Sequence, residues 1–478
     1  MAERAKVCRS VGVSVGTFFR TVVMVAVWGA ATFLGVVGLG SQTSAEAQEG
    51  GPRLAVIRDA EIEHIIRTFA RPIFEVAGID PLAVTIVLVR DGTLNAFVAG
   101  GMNIFFHTGL LIESNDPSQL IGVIAHETGH ISGGHLIRGD EAMENASAES
   151  ILMMLLGGAA AAASGNPGAA AAVILGGSEM IRRNLMAFSR VQESSADQAA
   201  ITYLDKAHLS GRGLLAFLEK LSSQELMPVD RQSSYTRTHP LTRERIDTMQ
   251  AYVEKSPWSN AGLPPQFSEL HQRMKAKLIG FIQPAAALRR YPPEDRSVFA
   301  RYARAVAMYQ QGDIKQSLLL VDELIAVEPK NPFFYELKGQ ILLENRRVSE
   351  SLAPYRKAVA LLPDSGLLRV SLAQALLETK NPGPVVVDEA LRVLESAMDE
   401  ERRSSMMWRL MATAWDRKNN PGMLAYSMAE EAMARGDLAM ARMHAVRAQK
   451  LLPVGSPGWI RAEDICAQVK QCASPPSR

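Results

Sequence analysis

The chain has 478 residues, room for roughly three domains, and its 47% hydrophobic and 21% charged residues support packed cores and exclude a disordered protein. Its 51 basic and 50 acidic residues leave a formal charge of +1, so nothing in the composition draws it to nucleic acid or another polyanion. The three cysteines, Cys8, Cys466 and Cys472, are too few for a disulfide scaffold or a cysteine-rich metal cluster. Any catalytic metal must be held mainly by nitrogen and oxygen.

In residues 1–47, Arg4, Lys6, Arg9 and Arg20 precede an apolar run from Thr21 to Gly40 that gives way to small polar residues. This is the three-part pattern of a secretory signal. Ala45-Glu46-Ala47 places the expected cut before Gln48. The apolar run is also long enough to span a bilayer, so an uncleaved anchor is the alternative. After cleavage Cys466 and Cys472 remain, either paired in an oxidising compartment or two ordinary half-buried cysteines.

The apolar positions Ile62, Ile65, Ile66 and Phe69 predict a helix from Asp59 to Ala70, with Pro72 ending or kinking it. Three β-type runs follow, Val84 to Val89, Leu94 to Val98 and Asn103 to Phe106, separated by Asp91-Gly92 and Gly100-Gly101. They predict a small antiparallel sheet. Helices are then expected over Gln119 to Leu136, Ala142 to Ala163, Ala169 to Leu204, Gly211 to Leu221 and Thr242 to Glu254. A small sheet followed by helices reads as an α+β domain over residues 48–255.

Within it, Ile151 to Gly177 is dominated by alanine, glycine, leucine and methionine, and neither half reaches the roughly 20 residues of a membrane span. It reads as a mobile helical hairpin touching a membrane or a partner, or as two buried small-residue helices. Residues 256–298, with scattered prolines, read as a connector containing one helix. From 299 to 478 a repeat emerges. Pro329 and Pro363 are 34 residues apart, and the Gly312-Asp313 and Gly436-Asp437 pairs each precede Pro329 and Pro453 by 17. Tyr335, Gly339, Tyr355 and Ala358 supply the alternating aromatic and small positions of a tetratricopeptide repeat. About four helix pairs would stack into an all-α solenoid whose concave face binds protein segments.

The motif that carries chemistry is His126-Glu127-Thr128-Gly129-His130. A spacing of four puts both imidazoles on one helical face, where they can share a metal, with Glu127 beside them to polarise the attacking water. Zinc needs a third protein ligand and an open fourth position. His135 is one residue short of the extended three-histidine pattern, which would need its histidine at 136, where this chain has Leu136. It reads as structural. Glu193 is the better ligand, with Asp197 four residues on to orient a ligand histidine through its second ring nitrogen. Taken alone, Glu193 and Asp197 with Arg190 would be a solvated helix face. His239-Pro240, with Arg245 six residues after the histidine, opens a further candidate: His239 could donate to a developing oxyanion or occupy the open metal position. The run Thr93 to Val98, with LNAF within it, is a plausible edge strand to which an extended peptide could add.

HETGH at 126–130, the small-residue helical stretch, ESSAD at 193–197 and THPLTRER at 238–245 together resemble the zinc peptidases related to CAAX prenyl proteases, in their secreted form with carboxyl-terminal tetratricopeptide repeats. The resemblance implies a zincin-type (gluzincin) metalloprotease domain, with His126, His130 and Glu193 holding one zinc, Glu127 as general base, Asp197 as supporting acid and His239 at the active site. Residues 151–177 would then be the mobile cover of the cleft. It also implies endoproteolysis in the periplasm. The substrates would be unfolded or misassembled outer-membrane β-barrel proteins, with the repeats facing the barrel-assembly machinery. Two other readings stay open: a repeat-based chaperone or adaptor with latched or secondary proteolysis, and a membrane-anchored protease held by residues 21–40.

Overall fold

The computed structural model describes residues 55–135, 138, 180, 189–225, 235 and 238–469. The signal-type segment 1–47, the 151–177 stretch, the predicted helix Ala142 to Ala163 and Cys472 lie outside the described residues.

Strand β1 (Val56–Ile57) leads into helix α1 (Ala60–Ala77), whose first turn is capped by the Asp59 carboxylate accepting from the Ile62 N–H. The helix runs past Pro72, where the sequence suggests an end or a kink. Ile73 and Phe74 continue the buried stripe beyond the proline, and their burial offsets the one backbone hydrogen bond that proline cannot make. The chain leaves the helix at Gly78, in the left-handed region at φ 70°, a position suited to glycine.

Strands β2 (Thr85–Val89), β3 (Ala96–Ala99) and β4 (Asn103–His107) follow. The sheet order is β1-β2-β4-β3. The sheet is mixed, which corrects the antiparallel expectation: β2 and β4 run parallel, Val87 opposite Phe105, while β1–β2 and β3–β4 are antiparallel. The reason lies at Asp91-Gly92, which does not turn a hairpin. The Asp91 carboxylate accepts from the backbone and hydroxyl of Thr93, and the Asp91 carbonyl accepts from the Gly109 N–H and the Thr108 hydroxyl. The 91–95 segment is thus tied across the end of β4. A Cβ on Gly109 would lie 2.2 Å from the Gly92 carbonyl oxygen, so only glycine permits this crossing. The chain reaches the far side of β4 and returns along it as β3, an edge strand of the sheet.

Helices α2 (Thr108–Glu113) and α3 (Pro117–Ser132) come next. Asp116 caps α3 and Pro117 occupies its first turn, where a missing N–H costs nothing. From Leu120 to His130 nearly every residue of α3 is buried, so it is a central helix rather than an amphipathic surface one. Helix α4 covers 189–206, followed by α5 (Arg212–Glu225) and α6 (Arg243–Lys255). Gly122 lets α3 and α5 touch: a Cβ there would lie 2.7 Å from the Leu214 side chain.

The segment 256–298 carries two helices rather than one, α7 (Pro265–Ile282) and α8 (Pro284–Arg290). Phe267, Met274 and Leu278 of α7 enter the same core as α1, the sheet and α3. Eleven helices follow: α9 (Val298–Gln310), α10 (Ile314–Val327), α11 (Pro332–Glu344), α12 (Val348–Leu361), α13 (Gly366–Glu378), α14 (Pro384–Ser396), α15 (Met398–Glu401), α16 (Ser405–Arg417), α17 (Pro421–Ala434), α18 (Leu438–Leu451) and α19 (Pro457–Gln468). Most pack as consecutive pairs with their own small cores. In the α11–α12 pair a Cβ on Gly339 would lie 2.8 Å from the Tyr355 ring, so the small and aromatic positions read from the sequence meet face to face. No helix among the described residues is long and apolar enough to cross a membrane.

The array folds back onto α1. Arg58 bridges Glu63 and Glu401, and Ala60 packs with Phe333, Ala358 and Leu368. At the centre of this join, Lys277 of α7 lies 2.9 Å from Asp59, 3.4 Å from Glu61 and 3.4 Å from Glu336. Lys277 and Glu61 are fully buried, and Tyr302 donates to the Glu61 carboxylate. Burial pushes the Glu61 carboxyl up, against the pull of Lys277; it likewise carries Glu336 to about 7. Removing Lys277 therefore leaves three carboxylates facing one another without a cation. Lys277→Ala is expected to destabilise the protein by about 3–5 kcal/mol, read as a lower urea midpoint, whereas Lys277→Met combined with Glu61→Gln recovers part of the loss. An unchanged midpoint for Lys277→Ala would show that the join does not depend on this charge.

Candidate metal centre

His126 and His130 lie one turn apart on α3, with their Nε2 atoms 3.1 Å from each other. Glu193, on α4, places Oε2 3.3 Å from His126 Nε2 and Oε1 3.3 Å from His130 Nε2. His239 brings Nδ1 to 3.1 Å from Glu193 Oε1 and 3.4 Å from His126 Nε2. One donor atom from each of these four residues falls within 4.8 Å of all the others. Glu193 and Asp197 are only 2% and 3% exposed, so they are not a solvated helix face, while Arg190 is exposed. Gly129 makes the juxtaposition possible. A Cβ at that position would lie 2.7 Å from the Ala196 carbonyl oxygen and 3.1 Å from the Ala199 side chain, so α3 and α4 approach backbone to backbone where the motif has its glycine.

Around the four donors a second ring of contacts fixes orientation. Asp197 Oδ1 lies 2.9 Å from His126 Nδ1 as a close ion-pair contact, while Nε2 faces the centre. His130 Nδ1 lies 2.9 Å from His135 Nδ1. Burial, with the His130 ring and Arg138 nearby, holds His135 down at about 4. Its contact with His130 fixes the His130 ring so that Nε2 of that ring faces the other donors. This is the structural place the sequence reading gives His135.

Arg245, at the start of α6, spans both carboxylates. Its Nε and Nη2 donate to Asp197 at 2.6 and 3.0 Å, and its Nη1 lies 2.9 Å from Glu193 Oε2. The same Nη1 donates to the Pro240 carbonyl, which ties down the turn bearing His239. Tyr235 stacks on the His239 ring at 4.4 Å between centroids, and His239 Nε2 lies 3.2 Å from the Ala96 carbonyl of β3. Sequence reasoning named Arg245 without a role and missed Tyr235. The available signal was Thr242, whose side chain accepts from the Arg245 N–H as the cap of α6 and so fixes Arg245 in the helix's first turn beside His239.

The site's electrostatics call for a cation. Burial disfavours charge on His126, yet Asp197 and Glu193 raise its pKa to about 10. Burial alone would raise Glu193, but His126, His130 and His239 carry it well below the usual carboxylate range. A divalent cation among the four donors meets the same demand for positive charge. Glu127 is fully buried, and among the described residues neither of its carboxylate oxygens has a hydrogen-bond donor. Orphaned buried carboxylate oxygens are costly unless a ligand or water satisfies them. Two imidazoles, one carboxylate and an adjacent imidazole are a donor set that fits a metal ion.

A helix-borne His-Glu-x-x-His motif, a glutamate on the next helix of the site and a small mixed sheet beside them are the parts of a metallopeptidase domain. Residues 57–253 match the family model of peptidase family M48. It is 25% identical over 394 residues to the beta-barrel assembly-enhancing protease of Escherichia coli K12, a match covering 80% of this chain and 78% of that protein. It is 24% identical over 311 residues to the protein of the same name from Yersinia pestis, covering 63% of this chain and 62% of the relative. A putative beta-barrel assembly-enhancing protease of Vibrio cholerae is 23% identical over 389 residues, covering 80% and 77%.

The close approach at Gly129 yields a direct test. Gly129→Ala forces a methyl group against the Ala196 carbonyl, where no flexible side chain can give way. We expect a stability loss of about 1–3 kcal/mol and less than one bound metal per chain by elemental analysis, with helix content retained. Full metal occupancy at wild-type stability would show that α3 and α4 can separate without cost to the site.

Proposed function

We propose that this chain is a zinc-dependent endopeptidase of the gluzincin type, exported to the periplasm, that removes unfolded or misassembled outer-membrane β-barrel proteins. The observation that carries the reading is the convergence of buried His126, His130 and Glu193 beside the carboxylate of Glu127, to which no described residue donates. Two imidazoles and a carboxylate on a zincin helix favour zinc among divalent metals. The metal would supply Lewis acidity at the scissile carbonyl and make the attacking water acidic near neutral pH.

The chain's own groups carry the rest. Glu127 takes the proton from the attacking water and returns it to the leaving amine nitrogen. Asp197 orients His126, and Arg245 keeps both Asp197 and Glu193 ionised. The edge strand β3 offers main-chain groups to which an extended substrate can add as a further strand. His239 faces the donors through Nδ1 and lies 3.5 Å from Glu127 through Nε2. From there it can stabilise the developing oxyanion, or it can take the position that a substrate needs. The second role supports a resting enzyme that is latched, compatible with a repeat-based chaperone activity alongside proteolysis.

The export reading rests on the signal-type pattern of residues 1–47, with cleavage after Ala47 and a peptidase domain over 48–255. The names of the bacterial relatives support barrel assembly as the setting. The helix pairs after α8 and the 34-residue spacing of their prolines support a tetratricopeptide array over 299–478, preceded by a joining segment over 256–298 and placed to engage substrates or the barrel-assembly machinery.

Metal content and casein cleavage, compared among the chain from Gln48, its Glu127→Gln variant and its His239→Ala variant, test this directly. Glu127→Gln should retain one zinc and lose cleavage by at least about 100-fold. Faster cleavage by His239→Ala indicates the latch, and loss of cleavage with zinc retained indicates a catalytic role. Absence of zinc from all three would overturn the site.

A further inference from the structure

We propose that the outward face of α18, with the turn that follows it, is a docking surface for an anionic phospholipid bilayer. One side of α18 is fully used: Ala441, Ala445 and Ala448 pack against Ala425, Ala429 and Ala432 of α17. The opposite side exposes Met440, Met443 and Leu451, with Met443 at 53%, and the following turn exposes Val454 at 82%. Large apolar side chains standing this far into solvent are the informative exception on a protein surface. Positions 440, 443, 447 and 450–451 recur at three- and four-residue steps, which makes a single stripe about 16 Å long.

The charges on this helix differ from those on the rest of the array. Several exposed cations elsewhere meet carboxylates, as in Arg356–Glu389, Arg409–Glu431 and Lys418–Asp388, whereas others such as Lys357 and Arg392 stand alone among the described residues. Helix α18 contains no acidic residue between 438 and 451. Its exposed Arg447 and Lys450, and the half-buried Arg442, form no ion pair among the described residues. The side chains with no internal partner are therefore long apolar ones and cations, interleaved on a convex helix surface. A peptide segment is seated by a groove with an apolar floor and a polar rim, which a convex stripe does not provide. A flat bilayer with negative headgroups complements it on both counts: methionine and leucine enter the headgroup boundary while arginine and lysine meet phosphates. Gly455, at φ 80°, makes the sharp turn that leaves Val454 projecting.

The chain lacking residues 1–47 should sediment with vesicles of phosphatidylcholine containing phosphatidylglycerol, and not with vesicles of phosphatidylcholine alone. Each basic residue near an anionic surface strengthens binding roughly fivefold, so Arg447→Ala with Lys450→Ala should weaken it about 25-fold. Met443→Ser should weaken binding while leaving its salt dependence intact. Circular dichroism and melting temperature should match the parent chain for all variants, since none of these side chains is buried. Equal binding to neutral vesicles, or full binding by the double variant, overturns the proposal. So does absence of vesicle binding by the parent chain, which would leave the face to an acidic protein partner.

Discussion

Two carboxylates buried one helical turn apart, Glu193 and Asp197, set the terms for everything around them. Removed from water, they require positive charge from their surroundings, and three elements bring it. Helix α3 supplies His126 and His130, α6 supplies Arg245, and a metal ion fits the remaining place. Because Arg245 also holds the Pro240 carbonyl, the demand that stabilises the acids fixes the turn carrying His239. Gly129 sets the scale of the arrangement by letting α3 and α4 meet without side chains between them.

The same physics appears at the join between the amino-terminal core and the helical array. There Lys277 faces Asp59, Glu61 and Glu336, contributed by the start of α1 and by α11. An ion cluster this deep gives little net stabilisation as an attraction, but it penalises every arrangement that separates its members. Helix α7 is accordingly a shared element: its apolar side fills the amino-terminal core, and its lysine reaches the array.

How much of this was legible depended on range. The donors were readable because His126 and His130, and likewise Glu193 and Asp197, are paired at helical spacing within short motifs. Their burial was not, since a carboxylate pair on a helix looks the same in sequence whether it meets solvent or Arg245. The strands were found within a few residues, but the pairing direction was misread because Asp91-Gly92, a hairpin signal in isolation, is committed to Thr93 and to residues 108–109 across the sheet. Pro72 signals an end or a kink in the sequence because only tertiary burial of Ile73 and Phe74 carries the helix past it. The place of α7 was hidden for a similar reason: flanking prolines mark it as a connector, and its buried lysine looks like a surface residue until its three partners are in place.

The lysine at that join also bears on how such proteins can diversify. Arrays of helix pairs are often treated as interchangeable cassettes, added, lost or swapped beside a catalytic unit. Here the boundary is stitched by several contacts: Lys277 balances acids from both sides, Arg58 bridges Glu63 to Glu401, and Ala60 packs with Phe333, Ala358 and Leu368. An array from another protein, grafted onto this catalytic part, would leave these groups without partners unless the helices from α11 to α15 travelled with the graft. The heritable module is therefore the joint itself, and repeats can be exchanged freely only beyond α15.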